Sequence, residues 1–574
     1  MTRPGKGKSI FMAKGQGLSD RLEDVRRSVA SSLRRHWIFV VLVVCGSVLR
    51  AVVTLAYRPA LFYSDSVDYL QHAYRLPLSY WHPPGYSAFL RIVLSTGTLA
   101  AVPIMQHLIV LGSSILLYAT LIRMGVRTQL AGLACAPLLV DAYQLQIEQY
   151  ILSEALFEVF IICIIATLLW SHYLTNRRIV LTGILLGAAA VVRLDAIGLM
   201  LPVAGFVVAR WVGWRRTVAL LTISAIPLLG MASLRASEGE GFSITGDMGG
   251  IWLYGRVAPF ANCSIAQVPY PEQRFCPTQP LGERPGTSWF ENSRDSPARL
   301  IHAGHAASSG ELSDFARRII VAQPLDYIRA VTGSFASQFR PTRSQVAGGP
   351  SVEPWVFATS VGARDRFSPN PELMMALYGG PRPKLNLTLA GLLHSYQRRV
   401  YTPGPVMAMC LLIALAGIYR PVRASHRQMA AALLTGLGVI VVLWATVTVE
   451  FTWRYVLPSL VLLPSAAVLS AGSGIISSMA LQRDRVLRSL VFRRTDHAGW
   501  PSVDLGTPGD TCGSVSDRHL LDGQSVDEKS GPHYRRRGVG RVRSKVLDPG
   551  LACDLADADV LSNETSVSRE AARR

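Results

Sequence analysis

Two aspartates lie in a short polar segment that follows the first long apolar stretch of the chain. Asp65 and Asp68 belong to the sequence FYSDSVDY at 62–69, and His82 and Tyr86 follow in HPPGY. Carboxylates at this place would face a membrane surface, where a substrate attached to a lipid would arrive, so they are candidates for chemistry on such a substrate. The alternative is that they only solubilise the loop and cap a helix, a role that the neighbouring serines also suit.

Further ionisable residues stand at the ends of later apolar stretches. Glu148 and Glu154 flank the start of the fourth stretch, and Glu154 lies inside it. An ionisable side chain at membrane depth is costly and is a functional candidate by default. Arg193 stands at the end of the fifth apolar stretch, and Arg454 stands between the ninth and the tenth. The donor fork of a guanidinium suits the phosphate of a lipid. The alternative is that these arginines form structural pairs, Arg193 with Glu154 and Arg454 with Glu450.

The composition of the chain predicts that membrane-spanning helices carry these residues. Half of the 574 residues are apolar and only 17% are charged, which is unusual for a soluble protein. Ten apolar stretches approach the length of about 20 residues that a helix needs to cross a bilayer. They run over 37–57, 99–122, 129–143, 150–174, 179–192, 196–212, 217–234, 404–419, 428–449 and 455–476. The predicted fold is an all-α polytopic membrane protein of about ten transmembrane helices, with a mixed extracytoplasmic domain between the seventh and the eighth.

The distribution of basic residues predicts how these helices are oriented. Lys and Arg collect in the short loops on the cytoplasmic side of a membrane. If the N-terminus is cytoplasmic, the short predicted outer turns contain only Arg193 and Arg454. The predicted inner loops then contain Arg123, Arg127, Arg177, Arg178, Arg210, Arg215, Arg216, Arg420, Arg423 and Arg427. We therefore expect a multi-pass protein of the cell membrane, with both termini in the cytoplasm and the candidate residues on the outer face.

The formal net charge of +20 has the same origin. Most of it lies in the tails and the inner loops, which would face anionic lipid headgroups. No folded basic domain with a nucleic-acid-binding motif is visible. We expect membrane lipids as partners, and no nucleic acid.

The apolar stretches also divide the chain into regions. We expect a basic cytoplasmic tail with an amphipathic helix over 1–36, followed by spans one to seven over 37–235, with the catalytic first outer loop at 58–98. An extracytoplasmic domain should follow over 236–403, and spans eight to ten over 404–478. The last region, 479–574, should be a mostly disordered cytoplasmic tail. Cys263 and Cys276 are the only cysteines of the outer region. Thiols outside the cytoplasm are commonly oxidised, so we expect a disulfide between them.

Five short motifs, taken with their order and their side of the membrane, resemble one family. They are DSVDYL at 65–70, PPGYSAFL at 83–90, LSEALF at 152–157, GAAAVVR at 187–193 and RYVLP at 454–458. This pattern is similar to that of the GT-C superfamily of membrane glycosyltransferases. These enzymes use polyprenyl-phosphate sugars and include protein O-mannosyltransferases and lipid A aminoarabinose transferases. The outer sequences FARR at 315–318 and QPLDY at 323–327 also resemble bacterial members.

The resemblance implies transfer of a sugar from a polyprenyl-phosphate donor to an acceptor hydroxyl on the outer face, with inversion at the anomeric carbon. The acceptor would be a protein, a polysaccharide or a lipid. By motif position Asp65 would be the general base, a role worth about 10²- to 10⁴-fold in rate, and Asp68 and Glu154 are further catalytic candidates. An arginine would stabilise the departing lipid phosphate. The candidates for substrate binding are His82, Tyr86, Glu148, Arg193 and Arg454.

Two points stay open at the level of the sequence. Many members of the family have adjacent acidic residues in the first motif, whereas two residues separate Asp65 from Asp68 here, so the role of Asp68 is open. Carboxylates and a phosphate would suit Mg²⁺ or Mn²⁺, but no dedicated metal cage is recognisable. A divalent cation as cofactor is therefore open as well.

The competing function is that of a transporter or flippase for a lipid-linked sugar. Such a protein would also place polar groups between its spans, but transporters tend to have internal repeats and broken helices near the bilayer midplane. In this sequence no repeat is visible and the candidate residues cluster toward one face. This pattern favours the glycosyltransferase.

Overall fold

The computed structural model describes the chain from residue 8 to residue 471, apart from 76–81, 240, 247, 301–307, 346–348, 350, 367–382 and 420–424. The predicted cytoplasmic tail at 479–574 lies outside the described residues. The predicted N-terminal helix is present, but it is continuous with the first span.

The described chain is mostly helical, with almost no β-strand. Its first ten helices are α1 (Lys8–Ala56), α2 (Ser64–Arg75), α3 (Pro84–Leu94), α4 (Ala101–Arg123), α5 (Thr128–Val140), α6 (Ala142–Gln149), α7 (Glu154–Leu169), α8 (Asn176–Val192), α9 (Ala196–Ala209) and α10 (Trp214–Ser237). The segment 236–403, which the sequence predicts to be extracytoplasmic, is called the outer region. It contains α11 (Met248–Val257), α12 (Thr287–Asn292), α13 (Ser309–Ala322), α14 (Pro324–Ala336) and α15 (Val361–Asp365). The chain continues with α16 (Leu387–Gln397), α17 (Gly404–Ile418), α18 (His426–Thr448) and α19 (Trp453–Ala471). Two short strands, β1 (Tyr57–Arg58) and β2 (Lys384–Leu385), pair antiparallel with Tyr57 opposite Leu385.

Five of the described helices are long and apolar enough to cross a membrane. They are Ser31–Ala56 within α1, and α4, α10, α18 and α19. The count rises to six if α5 and α6, which meet at a bend of 45°, form one broken span. The molecule is therefore an all-α membrane protein, but the predicted count of about ten spans is too high by this measure.

Two of the remaining predicted spans are short helices that border charged residues at one end. α7 has 16 residues and begins at Glu154, and α8 has 17 residues and ends before Arg193. A 16-residue helix is about 24 Å long at 1.5 Å per residue, less than the hydrocarbon core of about 30 Å. The predicted stretch at 150–174 is longer than α7 because it includes residues of the loops on either side of this helix, whereas the predicted stretch at 179–192 begins three residues after the start of α8 and ends with it.

A buried ion pair stabilises the bend between α5 and α6. Pro137 lies inside α5, and the guanidinium of Arg50 donates hydrogen bonds to the carbonyl groups of Leu138 and Leu139, both at 2.9 Å. Arg50 also pairs with Glu148 through two hydrogen bonds of 2.6 and 2.8 Å. Since a helix end leaves carbonyl groups without an intrahelical partner, Arg50 supplies the donors that the bend requires.

One end of the helical bundle is held by arginine side chains, and we call it the arginine end. Arg123, the last residue of α4, donates to the carbonyl oxygen of Trp170 just after α7. Arg427 in the first turn of α18 donates to the carbonyl oxygen of Met124 at 2.6 Å. Arg210, which follows α9, donates to a carbonyl group in the connection from α7 to α8. These arginines all belong to loops that the sequence predicts to be cytoplasmic.

The outer region has a hydrophobic core of its own, built from residues between 248 and 327. Its centre contains the buried rings of Tyr254, Phe275 and Phe315. A disulfide joins Cys263 to Cys276 beside this core, in agreement with the pairing expected from the sequence.

The outer region is attached to the bundle at the end opposite the arginine end. The hydroxyl of Tyr327 in α14 donates to the carbonyl oxygen of Val447 in the last turn of α18, at 2.9 Å. The hydroxyl of Tyr57 after α1 donates to the carbonyl oxygen of Ala358 at 2.9 Å. Both contacts place the outer region beside the helix ends that carry the candidate residues.

Candidate functional site

The loop after α1 positions the two aspartates. The backbone amide of Leu61 donates to Gln149 and its carbonyl accepts from Ile151, at 3.0 and 3.1 Å. The hydroxyl of Ser66 also donates to the carbonyl oxygen of Ile151, at 2.9 Å. Asp65 lies in the first turn of α2, next to this serine. The loop therefore holds Asp65 beside the segment that leads into α7.

Asp65 forms an ion pair with Arg454 at the start of α19. Nη1 of Arg454 lies 2.7 Å from Oδ2 of Asp65, and its Nε lies 3.5 Å from Oε1 of Glu154. The same oxygen of Glu154 accepts a hydrogen bond from Arg193 at 2.7 Å, and Arg193 also pairs with Asp195 at 2.8 Å. We call these five residues, Asp65, Arg454, Glu154, Arg193 and Asp195, the charged cluster.

The charged cluster and the arginine end lie at opposite ends of the bundle. α7 begins at Glu154 in the charged cluster and ends at Leu169, next to Trp170 at the arginine end. α8 runs in the reverse direction and ends before Arg193. Among the described residues, the two ends differ in chemistry, since the charged cluster brings carboxylates and guanidinium groups together.

His82 extends the charged cluster to Asp68. Its Nδ1 lies 2.7 Å from Oδ2 of Asp68, and its Nε2 lies 3.7 Å from Oδ2 of Asp65. The ring also packs against that of Tyr69, with a centroid distance of 4.4 Å. Burial by itself would lower the pKa of His82, but the two carboxylates outweigh it and raise the pKa to about 9. His82 is therefore protonated at neutral pH.

Asp65 is ionised at neutral pH. Burial by itself would raise the pKa of its carboxyl group, but Arg454 and His82 outweigh that effect and hold the pKa well below its usual range. An ionised carboxylate has the protonation state that a general base requires. Its affinity for a proton is low as long as both cations face it.

Aromatic rings and a small pocket adjoin the two arginines of the charged cluster. The guanidinium carbon of Arg193 lies 5.0 Å from the ring centre of Tyr455, and that of Arg454 lies 5.5 Å from Tyr63 and 5.7 Å from Trp355. A pocket with an empty volume of ≈ 250 Å³, open solvent included, is bounded by four members of the charged cluster and by Tyr455. Its wall contains two guanidinium groups and two carboxylates, so an anionic group bound there would share the arginines with Glu154 and Asp195.

Glu148 lies outside the charged cluster. Its carboxylate is fully buried and accepts hydrogen bonds from Arg50, from His107 at 2.8 Å and from Gln144 at 3.1 Å. All of these partners lie within the helical bundle. Glu148 therefore has a structural role at the bend after α5, and the predicted role in substrate binding has no support in this arrangement.

Tyr86 lies beneath the site and has no exposed surface. Its hydroxyl donates to the side-chain oxygen of Gln106 at 2.7 Å. The amide of Gln106 in turn donates to the carbonyl groups of Glu148 and Tyr150, at 2.8 and 2.7 Å. Through Gln106, Tyr86 supports the segment before α7, and its role in substrate binding stays a prediction.

Glu450 is not the main partner of Arg454, which pairs with Asp65 and Glu154. The Oε2 atom of Glu450 is buried and has no hydrogen-bond partner among the described residues. Burial raises the pKa of the Glu450 carboxyl group to about 7. The pair of Arg193 with Glu154, the other alternative from the sequence, is formed.

Sequence reasoning missed several neighbours of the charged cluster. The hydroxyl of Ser153 accepts from Arg193 at 3.2 Å and lies 3.1 Å from the hydroxyl of Tyr69, and Tyr455 and Trp355 contribute rings. Ser153 and Tyr455 are adjacent in sequence to predicted residues, so the motifs contained a usable signal. Trp355 comes from the outer region, and no local motif marks it.

The charged cluster does not fit a resident metal ion. Within the described ranges, no group of three or more His, Cys, Asp or Glu side chains is arranged to hold one. Arg454 contacts both Asp65 and Glu154, so a guanidinium is the counter-ion that these two carboxylates share.

Comparison of the chain with models of protein families, with curated proteins and with solved structures found no match. The resemblance to the GT-C superfamily therefore rests on the sequence motifs alone.

Proposed function

We propose that this protein is an integral membrane glycosyltransferase of the GT-C type, which moves a sugar from a polyprenyl-phosphate donor to an acceptor hydroxyl. The observation that carries the proposal is that Asp65, Glu154, Arg193 and Arg454, from four separate segments of the chain, meet at one end of the bundle. A reaction with a phosphate leaving group and a hydroxyl nucleophile needs cations and a carboxylate base at one place.

The site would face the outside of the cell membrane. Arginines collect on the cytoplasmic side of membrane proteins, and the arginine end lies opposite the charged cluster. α1 runs toward the cluster and α19 runs away from it, so both termini would be cytoplasmic. The outer region, which packs beside the cluster, would then be extracytoplasmic.

Arg193 and Arg454 would bind the phosphate of the donor. A guanidinium has five N–H donors, and the carboxylates use only some of them. Nη2 of Arg454 has a long contact of 3.4 Å with the hydroxyl of Tyr455, which makes it the donor best suited to a phosphate oxygen. The ring of Tyr455 would border the lipid phosphate.

Asp65 would accept the proton of the acceptor hydroxyl while the hydroxyl oxygen forms a bond to the anomeric carbon. The bond from that carbon to the phosphate oxygen breaks in the same step, and its electron pair leaves with the polyprenyl phosphate beside the arginines. Attack from the opposite face inverts the anomeric carbon. A phosphate that draws Arg454 away from Asp65 would raise the pKa of Asp65 and strengthen the base when the donor is bound.

The proposal is tested with sealed vesicles that contain the protein and a panel of radiolabelled polyprenyl-phosphate sugars. We expect label from one of these donors to appear on a protein, polysaccharide or lipid acceptor, and the labelled product identifies the acceptor class. Vesicles without the protein are the control. If no donor labels any acceptor supplied from the cell envelope, the proposal fails.

The second candidate function is a transporter or flippase for a lipid-linked sugar. The bend between α5 and α6 favours it, since broken helices are common in transporters. The buried groups at this bend, however, are satisfied by one another, as Arg50 pairs with Glu148 and with helix carbonyls. Movement of the labelled donor across the vesicle membrane without transfer to an acceptor would support the transporter.

A further inference from the structure

We propose that the arginine end contains a binding site for the phosphate group of an anionic phospholipid. The site consists of Arg123, His172, Arg210, His426 and Arg427, which we call the basic ring. It lies at the opposite end of the bundle from the charged cluster, and its existence does not depend on the glycosyltransferase activity.

Contacts between the connections of the bundle close the basic ring. Arg123 and Arg427 each donate to a backbone carbonyl group of a neighbouring connection. The imidazole rings of His172 and His426 lie 4.5 Å apart between centroids, and Arg210 donates to the carbonyl oxygen of His172. Cationic and imidazole side chains from four connections are therefore held close to one another.

The connections that form the basic ring contain no acidic residue. The segments 123–127, 170–178, 209–217 and 419–428 include ten arginines and no aspartate, glutamate or lysine. The arginine fork matches a phosphate with two parallel hydrogen bonds, which a lysine cannot provide. The described guanidinium groups of Arg123, Arg210 and Arg427 therefore suit a ligand that carries a phosphate.

Several nitrogen atoms of the basic ring lack a hydrogen-bond partner. They are both imidazole nitrogens of His426 and both terminal nitrogens of Arg427, within the part of the chain that the structure describes. Buried polar atoms without partners are costly. A phosphate that accepts hydrogen bonds from these groups, after small side-chain rotations, would remove this cost.

Exposed aromatic side chains adjoin the basic ring in sequence and favour a lipid phosphate over a free phosphate as its ligand. Tyr173, Trp211, Trp214 and Tyr419 are 82%, 95%, 71% and 81% exposed. Trp and Tyr concentrate at the level of the lipid headgroups in membrane proteins. The basic ring therefore lies at headgroup depth, where the anionic lipids of the cytoplasmic leaflet present their phosphates.

The test measures phospholipid binding by the purified full-length chain in a neutral detergent, using native mass spectrometry. We expect the wild type to retain phosphatidylglycerol at least about tenfold more strongly than phosphatidylcholine, since both carry a phosphate but only the first has a net negative charge. The double variant Arg210→Gln/Arg427→Gln should lose most of this preference. Arg329→Gln is the matched control, because this arginine of α14 is 80% exposed and far from the basic ring, and it should keep the preference.

Two further arms keep the test decisive. His172→Asn changes an exposed loop residue and should reduce the preference even if the double variant does not fold. Inorganic phosphate at millimolar concentration should not displace the lipid, because it lacks the glycerol and acyl groups that contact the aromatic side chains. Equal retention of phosphatidylglycerol and phosphatidylcholine by the wild type would contradict a binding site for anionic phospholipids. Complete displacement of the lipid by inorganic phosphate would contradict the proposal that the ligand is a lipid.

Discussion

The guanidinium of Arg454 lies 2.7 Å from the carboxylate of Asp65, although 389 positions separate the two residues in the chain. Arg454 stands at the start of the last described helix, and Asp65 stands just after the first. Their ion pair therefore joins an early and a late segment of the chain at one end of the helical bundle. Arg454, the proposed phosphate-binding group, therefore balances the negative charge of Asp65, the proposed base.

Replacement of Arg454 should weaken donor binding. In Arg454→Gln we expect the KM for the polyprenyl-phosphate sugar to rise at least about tenfold, because a charge-assisted hydrogen bond to a phosphate contributes about 1.5–3 kcal/mol. Arg454→Lys keeps the charge but loses the fork and should be intermediate. Initial-rate measurements over a range of donor concentrations check this, with Arg329→Gln as the control. An unchanged KM in both variants would remove Arg454 from the donor site.

The pH dependence of stability should reveal His82. Its pKa is about 9 in the folded protein, against about 6.5 for an unfolded histidine. A raised pKa stabilises the fold fully below about pH 6.5, and this contribution is lost as the pH rises through about 9. We expect the unfolding temperature of the wild type to exceed that of His82→Gln most at the acidic end of this window. A difference that stays constant across the window would contradict the ion pairs of His82.

Arg50 and Glu148 should behave as a structural pair. Arg50→Met alone leaves the buried carboxylate of Glu148 without its cation and should destabilise the protein by about 3–5 kcal/mol. The double variant Arg50→Met/Glu148→Gln should recover part of this loss, because no charge remains buried. Thermal unfolding in detergent measures both effects. If Glu148 bound substrate instead, Glu148→Gln alone would abolish transfer and leave the unfolding temperature unchanged.

The orientation can be tested with single cysteines in a background that lacks the free cysteines. A membrane-impermeant thiol reagent applied to intact cells should label Glu283→Cys in the outer region and should not label Thr175→Cys at the arginine end. Labelling after permeabilisation is the control for Thr175→Cys. The reverse pattern would place the charged cluster in the cytoplasm and contradict an outward-facing site.

Much of the site could be predicted from the sequence because charged residues stand out among apolar helices. Asp65, Glu154, Arg193 and Arg454 were found in this way, and the structure brings them together. Asp68 is connected to them through His82. The role of Glu148 could not be predicted, because a carboxylate beside an apolar stretch looks the same whether its partner is a substrate or a buried arginine 98 positions away.

The fold class could also be predicted, but the lengths of the helices could not. Apolar composition extends through the connections around Asp141 and Tyr150, so it conceals the places where a helix ends. The bend after α5 depends on Pro137 and on hydrogen bonds that Arg50 donates from another helix. Such tertiary contacts determine which apolar stretches become full spans, and no local pattern records them.

The central claim is that Asp65 is the base of a sugar transfer, and the most direct test compares Asp65→Asn with the wild type in the vesicle assay. Asparagine keeps the shape of the side chain but cannot accept the proton, so we predict a rate at least about a hundredfold lower. Donor binding and the amount of folded protein should be retained. Asp314→Asn, at an exposed position of α13, is the matched control and should transfer normally. Near-normal transfer by Asp65→Asn would contradict the assignment of the base, and near-normal transfer after additional replacement of Asp68 and Glu154 would contradict the glycosyltransferase itself.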